Sequence, residues 1–220
     1  MSDILRKRVL TAIVLGAALL AILLWLPDWV TVAVVTALVL FGAWEWSAFL
    51  LLSARGPRLA YVGLVGMLLW VVWRFSTTPE RRDLILAVAV LWWLAALAWI
   101  VFAPRRVSPW AAAAAGVLAL VPSWLALVRL RLTLPHGAQW VLFALVLVWV
   151  ADSAAFFCGR RFGRLRLAPE VSPGKTWEGL LGGITVSGLV AVAGSQWFHV
   201  PLAAFLPLCL AAVGFSVVGD

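Results

Sequence analysis

The residues with the clearest chemical potential lie in the stretch VSPGKTWEGLLGG, from Val171 to Gly183, which sets a lysine, a threonine and a glutamate among glycines. Backbone N–H groups beside a lysine suit the binding of phosphate. A Walker A loop, however, has a glycine five positions before its Gly-Lys pair, and it follows a β-strand. Here that position is Pro169, and the preceding apolar residues indicate a membrane helix. The pattern therefore excludes a nucleotide site of the Walker type.

Anion binding at a helix N-terminus is the prediction for this stretch. We expect Ser172 to cap a helix and Pro173 to take its first position. Lys175 then falls in the first turn, where a cation opposes the helix dipole and a bound phosphate would offset that cost. The alternative left open is an ordinary interfacial lysine beside anionic lipid.

Carboxylates at the edges of apolar segments supply the other candidate chemistry. Asp152 lies inside the stretch VLVWVADSAAFFCGRRFG, where a charge is costly and indicates a functional role. Glu178 and Asp220 are predicted to lie toward the same side of the membrane. Together with basic neighbours, these carboxylates could hold Mg²⁺ and the phosphates that it carries. Glu45, in GAWEWSAFL, is explained equally well by a buried pair with a basic side chain.

Two further residue pairs are interpreted as packing residues. Gly179 and Gly183 form a small-xxx-small pair, which favours close contact between helices over contact with a ligand. Cys158 and Cys209 show no metal-ligand spacing, so we expect neither a metal site nor a disulfide from them.

The elements that must position these residues are membrane helices. Apolar residues make up 65% of the 220 positions, charged residues make up 12%, and the mean hydropathy is +1.08. Such a composition is typical of an integral membrane protein. We therefore predict an all-α, polytopic membrane protein with about eight transmembrane helices in a single domain over 1–220. The predicted segments are 9–26, 29–52, 60–75, 84–102, 110–130, 138–158, 179–197 and 202–218.

The basic residues predict the orientation. With the N-terminus in the cytoplasm, twelve of the 17 Lys and Arg residues fall on the cytoplasmic side, as the positive-inside rule requires. These are Arg6, Lys7, Arg8, Arg55, Arg58, Arg105, Arg106, Arg160, Arg161, Arg164, Arg166 and Lys175. The net charge of +8 then faces anionic lipid, and nucleic acid is excluded as a partner because no soluble domain is predicted.

The stretch ADSAAFFCGRRFGRLRLAPEVSPGKTWEGLLGG resembles the central region of the phosphatidate cytidylyltransferase family, the CDP-diacylglycerol synthases. In that family an aspartate on a membrane helix precedes a Gly-basic pair, a second glycine and an SPxKTxEG signature. The closing SVVGD resembles the start of the family's next block. The matching positions are Asp152, Gly159, Arg160, Gly163, Ser172, Pro173, Lys175, Thr176, Glu178, Gly179 and Asp220.

The resemblance implies an enzyme of the inner cell membrane that transfers a cytidylyl group from CTP to phosphatidic acid. The products are CDP-diacylglycerol and pyrophosphate, and the implied cofactor is Mg²⁺. Membrane lipids are expected partners, and a homodimer is left open. The expected catalytic residues are Lys175, Asp152 and Glu178, the substrate-binding residues are Arg160, Ser172 and Thr176, and the metal ligands are Asp152 and Asp220.

The chain stops at Asp220, before the rest of the family's last signature block. That block contains a Lys-Asp pair, a Pro-Gly-His-Gly-Gly segment and further aspartates. We therefore expect 1–220 to be an incomplete cytidylyltransferase domain that folds but has little or no activity by itself.

Two other function classes are kept as alternatives. Glu45 and Asp152 could line the path of an ion- or proton-coupled transporter, since intramembrane carboxylates are typical of such proteins. Two features argue against a transporter: the polar residues cluster on one side of the membrane, and no broken helices pair between two halves of the sequence. A non-catalytic scaffold would leave the Lys175 segment unexplained.

Overall fold

The computed structural model describes residues 14, 16–50, 54–102, 107–169 and 172–219, and Asp220 lies outside this range. Eight α-helices occur among the described residues, together with a short 3₁₀ helix, Ser47–Leu50, and two strands. The helices are α1 (Gly16–Trp25), α2 (Asp28–Trp46), α3 (Arg55–Phe75), α4 (Pro79–Phe102), α5 (Pro109–Thr133), α6 (Gly137–Phe162), α7 (Trp177–Trp197) and α8 (Leu202–Gly219). The strands are β1 (Arg166–Ala168) and β2 (Ser172–Thr176).

The helices confirm the all-α membrane prediction. Six of those described are long and apolar enough to cross a membrane, namely α2 to α7, while α1 and α8 are shorter apolar helices. Each predicted apolar segment corresponds to one α-helix, and the second also includes the 3₁₀ helix Ser47–Leu50. The start of the first segment and the end of the second lie outside the described residues. Large apolar side chains stand exposed near helix ends, as in a membrane-facing surface, and Trp25 and Trp110 are 79% and 86% exposed.

The β1–β2 hairpin was not predicted. The two strands pair antiparallel, with Arg166 opposite Thr176 and Ala168 opposite Ser172. The expectation that Ser172 caps a helix and Pro173 begins it is therefore wrong. Pairing with β1 keeps this segment extended, and the helix starts one turn later, at Trp177.

Contacts divide the chain into two compact units, Met1–Trp92 with Arg105–Leu142, and Trp93–Pro104 with Phe143–Asp220. The prediction of one domain over 1–220 stays a prediction. The first unit packs α2, α3 and α5 around a core that includes Ala43, Val65 and Leu125, which are completely buried.

Polar side chains in the first unit bond within the unit. The indole N–H of Trp46 donates to the carbonyl of Ala112 at 2.8 Å, and the hydroxyl of Tyr61 donates to that of Ala113 at 3.1 Å. Arg58 donates to Ser47 Oγ at 2.7 Å and to the Trp44 carbonyl at 2.9 Å, and its guanidinium lies 4.1 Å from the centroid of the Trp44 ring. Such partners are needed because hydrocarbon supplies no water to an unpaired polar group.

The second unit contains the end of α4 from Trp93, α6 from Phe143, the hairpin, α7 and α8. Helices α6 and α7 approach closely at the glycine seam, which consists of Gly159, Gly179 and Gly183. A Cβ added at Gly179 would lie 2.8 Å from the carbonyl oxygen of Ala155, and one at Gly183 would lie 3.0 Å from that of Ala151. This contact confirms the prediction that Gly179 and Gly183 pack helices together.

Helix α7 ends in a Schellman motif around His199. The backbone of His199 is left-handed, with φ 53°. The N–H of Val200 donates to the carbonyl of Ser195 at 3.0 Å, and that of His199 donates to the carbonyl of Gln196 at 3.3 Å. The motif satisfies the last carbonyls of the helix, and it turns the chain toward α8.

Candidate functional site

One stripe of α6 forms the floor of an open cleft within the second unit. Residues at positions i, i+3, i+4, i+7 and i+8 of a helix share a face, and Asp152, Ala155, Phe156, Gly159 and Arg160 follow this spacing. The cleft has a volume of about 690 Å³. Its other lining residues are Gly163, Arg164, Arg166, Leu167, Gly174, Lys175, Thr176, Gly179, Leu180 and Val217.

The charge of the cleft is strongly positive. Four basic side chains line it, those of Arg160, Arg164, Arg166 and Lys175, against one carboxylate among the described residues, that of Asp152. Guanidinium and ammonium groups at this density suit an anion with several phosphates. We call this site the basic cleft.

Thr176 connects the hairpin to α7. Its Oγ1 accepts a hydrogen bond from the N–H of Gly179 at 3.1 Å, which makes Thr176 the N-cap of the helix. A Cβ added at Gly159 would lie 2.9 Å from the same oxygen. The glycine seam therefore brings the start of α7 directly against the face of α6 that carries Asp152 and Arg160.

Lys175 lies in β2, just before this cap, and not in the first turn of a helix as predicted. Its Nζ donates to the carbonyl oxygen of Val217 at 2.8 Å. Val217 belongs to the last turn of α8, where carbonyls lack intrahelical partners and a cation is favourable. Lys175 therefore joins the hairpin to the C-terminal end of α8, and it also lines the basic cleft.

The segment between α6 and β1 is held by α7. The N–H of Leu165 donates to both carboxylate oxygens of Glu178, at 3.2 and 3.3 Å, and the N–H of Trp177 donates to the carbonyl of Leu165 at 3.0 Å. Arg166 in turn donates to the carbonyl of Pro173 across the hairpin. These bonds fix the backbone that carries Arg164 and Arg166 into the basic cleft.

A divalent cation would find one carboxylate in the described part of the basic cleft. Mg²⁺ that is bound together with a nucleotide takes one or two carboxylates, and phosphate oxygens and waters complete its octahedron. Asp152 supplies one carboxylate, the smallest number that such a Mg²⁺ site uses. The described residues contain no group of three or more His, Cys, Asp or Glu that could hold a metal by themselves, and Asp220 lies outside the described range.

The structure brings together Asp152, Arg160, Lys175 and Thr176, which were all expected site residues. Ser172 and Glu178 are not among the lining residues, and Glu178 instead contacts the backbone of Leu165.

Arg164, Arg166, Phe156 and Val217 line the cleft without having been proposed as site residues. The i, i+4 spacing from Asp152 could have indicated Phe156. Val217 belongs to the SVVGD segment, but that segment gives no sign that its backbone carbonyl accepts from Lys175, because α8 reaches the cleft only through the tertiary fold.

Glu45 belongs to the first unit. Its side chain is exposed, so the proposed burial of this carboxylate is wrong. The two ion pairs between described residues are Arg82 with Asp83 and Arg131 with Asp28. Neither pair includes Glu45, so no basic partner accounts for it within the described structure.

Comparison with known proteins gives the family. Residues 6–220 match the model of the cytidylyltransferase family. The phosphatidate cytidylyltransferase of Haemophilus influenzae is 33% identical over 98% of this chain and 83% of that protein. The enzyme of the same name from Pseudomonas aeruginosa is 33% identical over 98% of this chain and 81% of its own length. That from Brucella suis is 32% identical over 96% and 77%. With a match over nearly its whole length, the chain belongs to the cytidylyltransferase family.

Proposed function

We propose that this protein transfers the cytidylyl group of CTP to phosphatidic acid, forming CDP-diacylglycerol and pyrophosphate. The relatives that match nearly the whole chain bear the name phosphatidate cytidylyltransferase. The observation that carries the proposal is the basic cleft, in which four basic side chains and Asp152 lie at one end of membrane helix α6. A nucleotide triphosphate and a lipid phosphate are both anionic, and a lipid keeps its acyl chains in the bilayer while its phosphate reaches the helix end.

The reaction exchanges one phosphoanhydride for another. A phosphate oxygen of phosphatidic acid attacks the α-phosphorus of CTP and forms the new P–O bond. The bond from that phosphorus to the oxygen bridging to the β-phosphorus breaks, and the electron pair leaves with pyrophosphate. Two anions must approach each other, so the protein contributes chiefly by orienting them and by neutralising charge.

Lys175 and Arg160 neutralise the phosphates in this proposal. Both line the basic cleft, and Arg164 and Arg166 add charge at its rim. Arginine binds phosphate through a planar pair of donors, whereas lysine acts as a compact point charge. The bond from Lys175 to Val217 holds the ammonium group in place before a phosphate arrives. A group held in this way loses less entropy when it binds substrate.

Asp152 is the proposed Mg²⁺ ligand within the described cleft, and Asp220 is proposed as a second ligand. When bound, the ion would neutralise charge on the phosphates of CTP and on the departing pyrophosphate. Thr176 is proposed to donate a hydrogen bond to the substrates, and the expected substrate-binding role of Ser172, which does not line the cleft, stays a prediction. Glu178, first considered as a catalytic residue, is proposed to act through Leu165, because its carboxylate accepts that backbone N–H.

The membrane orientation is likewise a proposal. The distribution of Lys and Arg supports a cytoplasmic N-terminus, with the basic cleft facing the cytoplasm of an inner membrane. CTP would then reach the cleft directly. A homodimer is also proposed, and the mass of the purified protein in detergent tests it.

Measurements of kcat use a chain that continues through the family's C-terminal block, since 1–220 alone is expected to have little or no activity. In that chain the decisive test replaces Lys175 with alanine and measures transfer from CTP to phosphatidic acid by the purified protein. Loss of a positioned charge at a reacting phosphate is expected to lower kcat by about 10²–10³-fold. Arg161→Ala is the matched control, because Arg161 lies at the same end of α6 but is absent from the cleft lining. Wild-type kcat in Lys175→Ala, with Arg161→Ala equally active, would contradict the proposed role of the lysine. A thermal unfolding midpoint close to the wild-type value would show that Lys175→Ala is folded.

The transporter alternative has no support from the family match. It would require Glu45 and Asp152 to serve one transport path. Glu45→Gln should leave cytidylyl transfer unchanged if the enzyme interpretation is right. Proton- or ion-coupled solute uptake into liposomes that depends on both carboxylates would contradict the enzyme interpretation and favour the transporter.

A further inference from the structure

A second concave surface lies entirely within the first unit, between α2, α3 and α5. It has a volume of about 310 Å³, and its lining residues include Leu40, Gly66, Trp73 and Trp124. We call it the α2/α3/α5 groove. Its volume falls at the lower end of small-ligand sites, which span about 300–1,000 Å³.

The polar atoms of Thr36 and Trp124 in the groove are already bonded. Thr36 Oγ1 accepts a hydrogen bond from Trp124 Nε1 at 2.8 Å and donates to the carbonyl of Val32 at 2.7 Å. The remaining lining is aliphatic or aromatic. Hydrocarbon is the occupant whose chemistry matches such walls, because a polar ligand would lose its own hydrogen bonds there.

A cation lies at the Trp73 end of the groove. The guanidinium of Arg129 stands 4.2 Å from the centroid of the Trp73 ring. Its Nη2 donates to the carbonyl of Ser76 at 2.7 Å and to the hydroxyl of Ser76 at 2.9 Å. Both hydrogen bonds use Nη2, and Nε is buried without a hydrogen-bond partner in the described structure. Nη1 therefore remains for an anion.

No carboxylate neutralises Arg129 within the described residues. The ion pairs there are Arg131 with Asp28, at 2.8 Å, and Arg82 with Asp83, at 3.1 Å. Arg129 also lies about one turn inside the end of α5, and Trp73 lies close to the end of α3. At that depth a membrane helix meets the lipid headgroups.

We propose that the α2/α3/α5 groove binds an anionic phospholipid, with one acyl chain in the groove and the phosphate at Arg129. One molecule of this kind supplies hydrocarbon to the groove and negative charge to its cationic end. Moving an acyl chain from the bilayer into the groove contributes little binding free energy, because both surroundings are hydrocarbon. Selection among lipids therefore comes from the charge of the headgroup. The proposal does not rest on cytidylyl transfer, since none of these residues lines the basic cleft.

Native mass spectrometry of the detergent-purified protein tests the proposal with an equal mixture of phosphatidylglycerol and phosphatidylcholine. The wild-type protein is expected to retain one phosphatidylglycerol, with a preference of about fivefold from one basic residue near the membrane surface. Arg129→Gln should bind the two lipids equally.

Gly66→Leu tests the groove independently of the charge. A Cβ at Gly66 would lie 3.6 Å from Cδ2 of Leu40, in ordinary contact, so the rest of a leucine side chain would fill the groove. We expect this variant to retain no phosphatidylglycerol. Gly63→Leu is the matched control, since it adds the same side chain to α3 where no atom lies within 4 Å of a Cβ. It should behave as the wild type does.

Three outcomes would overturn the proposal. The first is equal retention of the two lipids by the wild-type protein, and the second is retention of phosphatidylglycerol by Gly66→Leu. The third is a wild-type dimer that Gly66→Leu, but not Gly63→Leu, converts to monomer. In that case a second copy of the chain would occupy the groove. Gly66→Leu leaves Arg129 in place, so the test stands even if Arg129→Gln fails to fold.

Discussion

Arg58 of the first unit and two arginines of the second unit use their charge in opposite ways. In the first unit Arg58 lies over Trp44 and donates to a buried serine and a backbone carbonyl, so its charge is held by neighbours within the unit. In the second unit Arg160 and Arg164 are exposed and face an open cleft. Composition counts both kinds alike, and the number of guanidinium nitrogens already bonded separates them. Arg58 uses both Nε and Nη2 for its neighbours, whereas both hydrogen bonds of Arg129 use Nη2.

The largest effect is expected from a carboxylate of the basic cleft. Asp152→Asn keeps the size of the side chain but removes its charge, so it should lower kcat by about 10²–10³-fold and weaken the dependence of the rate on Mg²⁺. The thermal unfolding midpoint should stay within experimental error of the wild-type value. Glu45→Gln, which neutralises an exposed carboxylate in the first unit, serves as the control. A fall in kcat for Glu45→Gln equal to that for Asp152→Asn would break the contrast between the units.

Arg58→Ala should lower stability and leave kcat unchanged, the reverse of the result expected for Asp152→Asn. Removing the guanidinium leaves the Ser47 hydroxyl oxygen without its donor, while the Trp44 carbonyl keeps only the hydrogen bond from the Ser47 hydroxyl. Hydrogen bonds to a charged group contribute about 1.5–3 kcal/mol. We expect a clearly lower unfolding midpoint in detergent, with kcat per folded molecule unchanged. Arg55→Ala is the control, because Arg55 is exposed at the start of the same helix. A variant of Arg58 that kept its stability and lost kcat would assign this arginine to the reaction.

The smallest effect concerns a backbone feature that occurs once in the described part of each unit. His136 and His199 have left-handed backbones, with φ values of 58° and 53°. This conformation costs a non-glycine residue about 1 kcal/mol or more, part of which glycine recovers. His136→Gly and His199→Gly should therefore each raise the unfolding midpoint slightly and leave kcat unchanged. A fall in kcat for either variant would indicate a role for that imidazole which its exposed position does not suggest.

Local sequence signals predicted the parts of the fold that depend on local physics. Each apolar run became a helix because hydrocarbon requires the backbone to bond within its own segment. Asp152 stood out because a carboxylate inside a membrane segment is costly, and Lys175 stood out because it lies among glycines in a stretch suited to phosphate. Both line the basic cleft. The small-xxx-small pattern at Gly179 and Gly183 indicated helix packing, which the close approach to α6 confirms.

The hairpin shows where local signals failed. Ser172 followed by Pro173 is a good start for a helix, and Thr176 is an equally good cap four residues later. Strand pairing with Arg166–Ala168 selects the helix start at Thr176 over that at Ser172. This pairing cannot be predicted from either segment alone. The same limit hid the carbonyl of Val217, which reaches Lys175 from 42 positions away along the chain.

The glycine seam divides the wall of the basic cleft into a part that resists redesign and a part that accepts it. At Gly159 and Gly179 a methyl group would come within 2.9 Å of a neighbouring oxygen, so even alanine would push α6 and α7 apart. At Gly174, on the hairpin side of the same cleft, a Cβ would meet no atom within 4 Å. A library intended to change which nucleotide the protein accepts should therefore vary Gly174 and leave the glycine seam unchanged. New side chains at position 174 would extend one wall of the cleft without moving α6, the helix that carries Asp152 and Arg160.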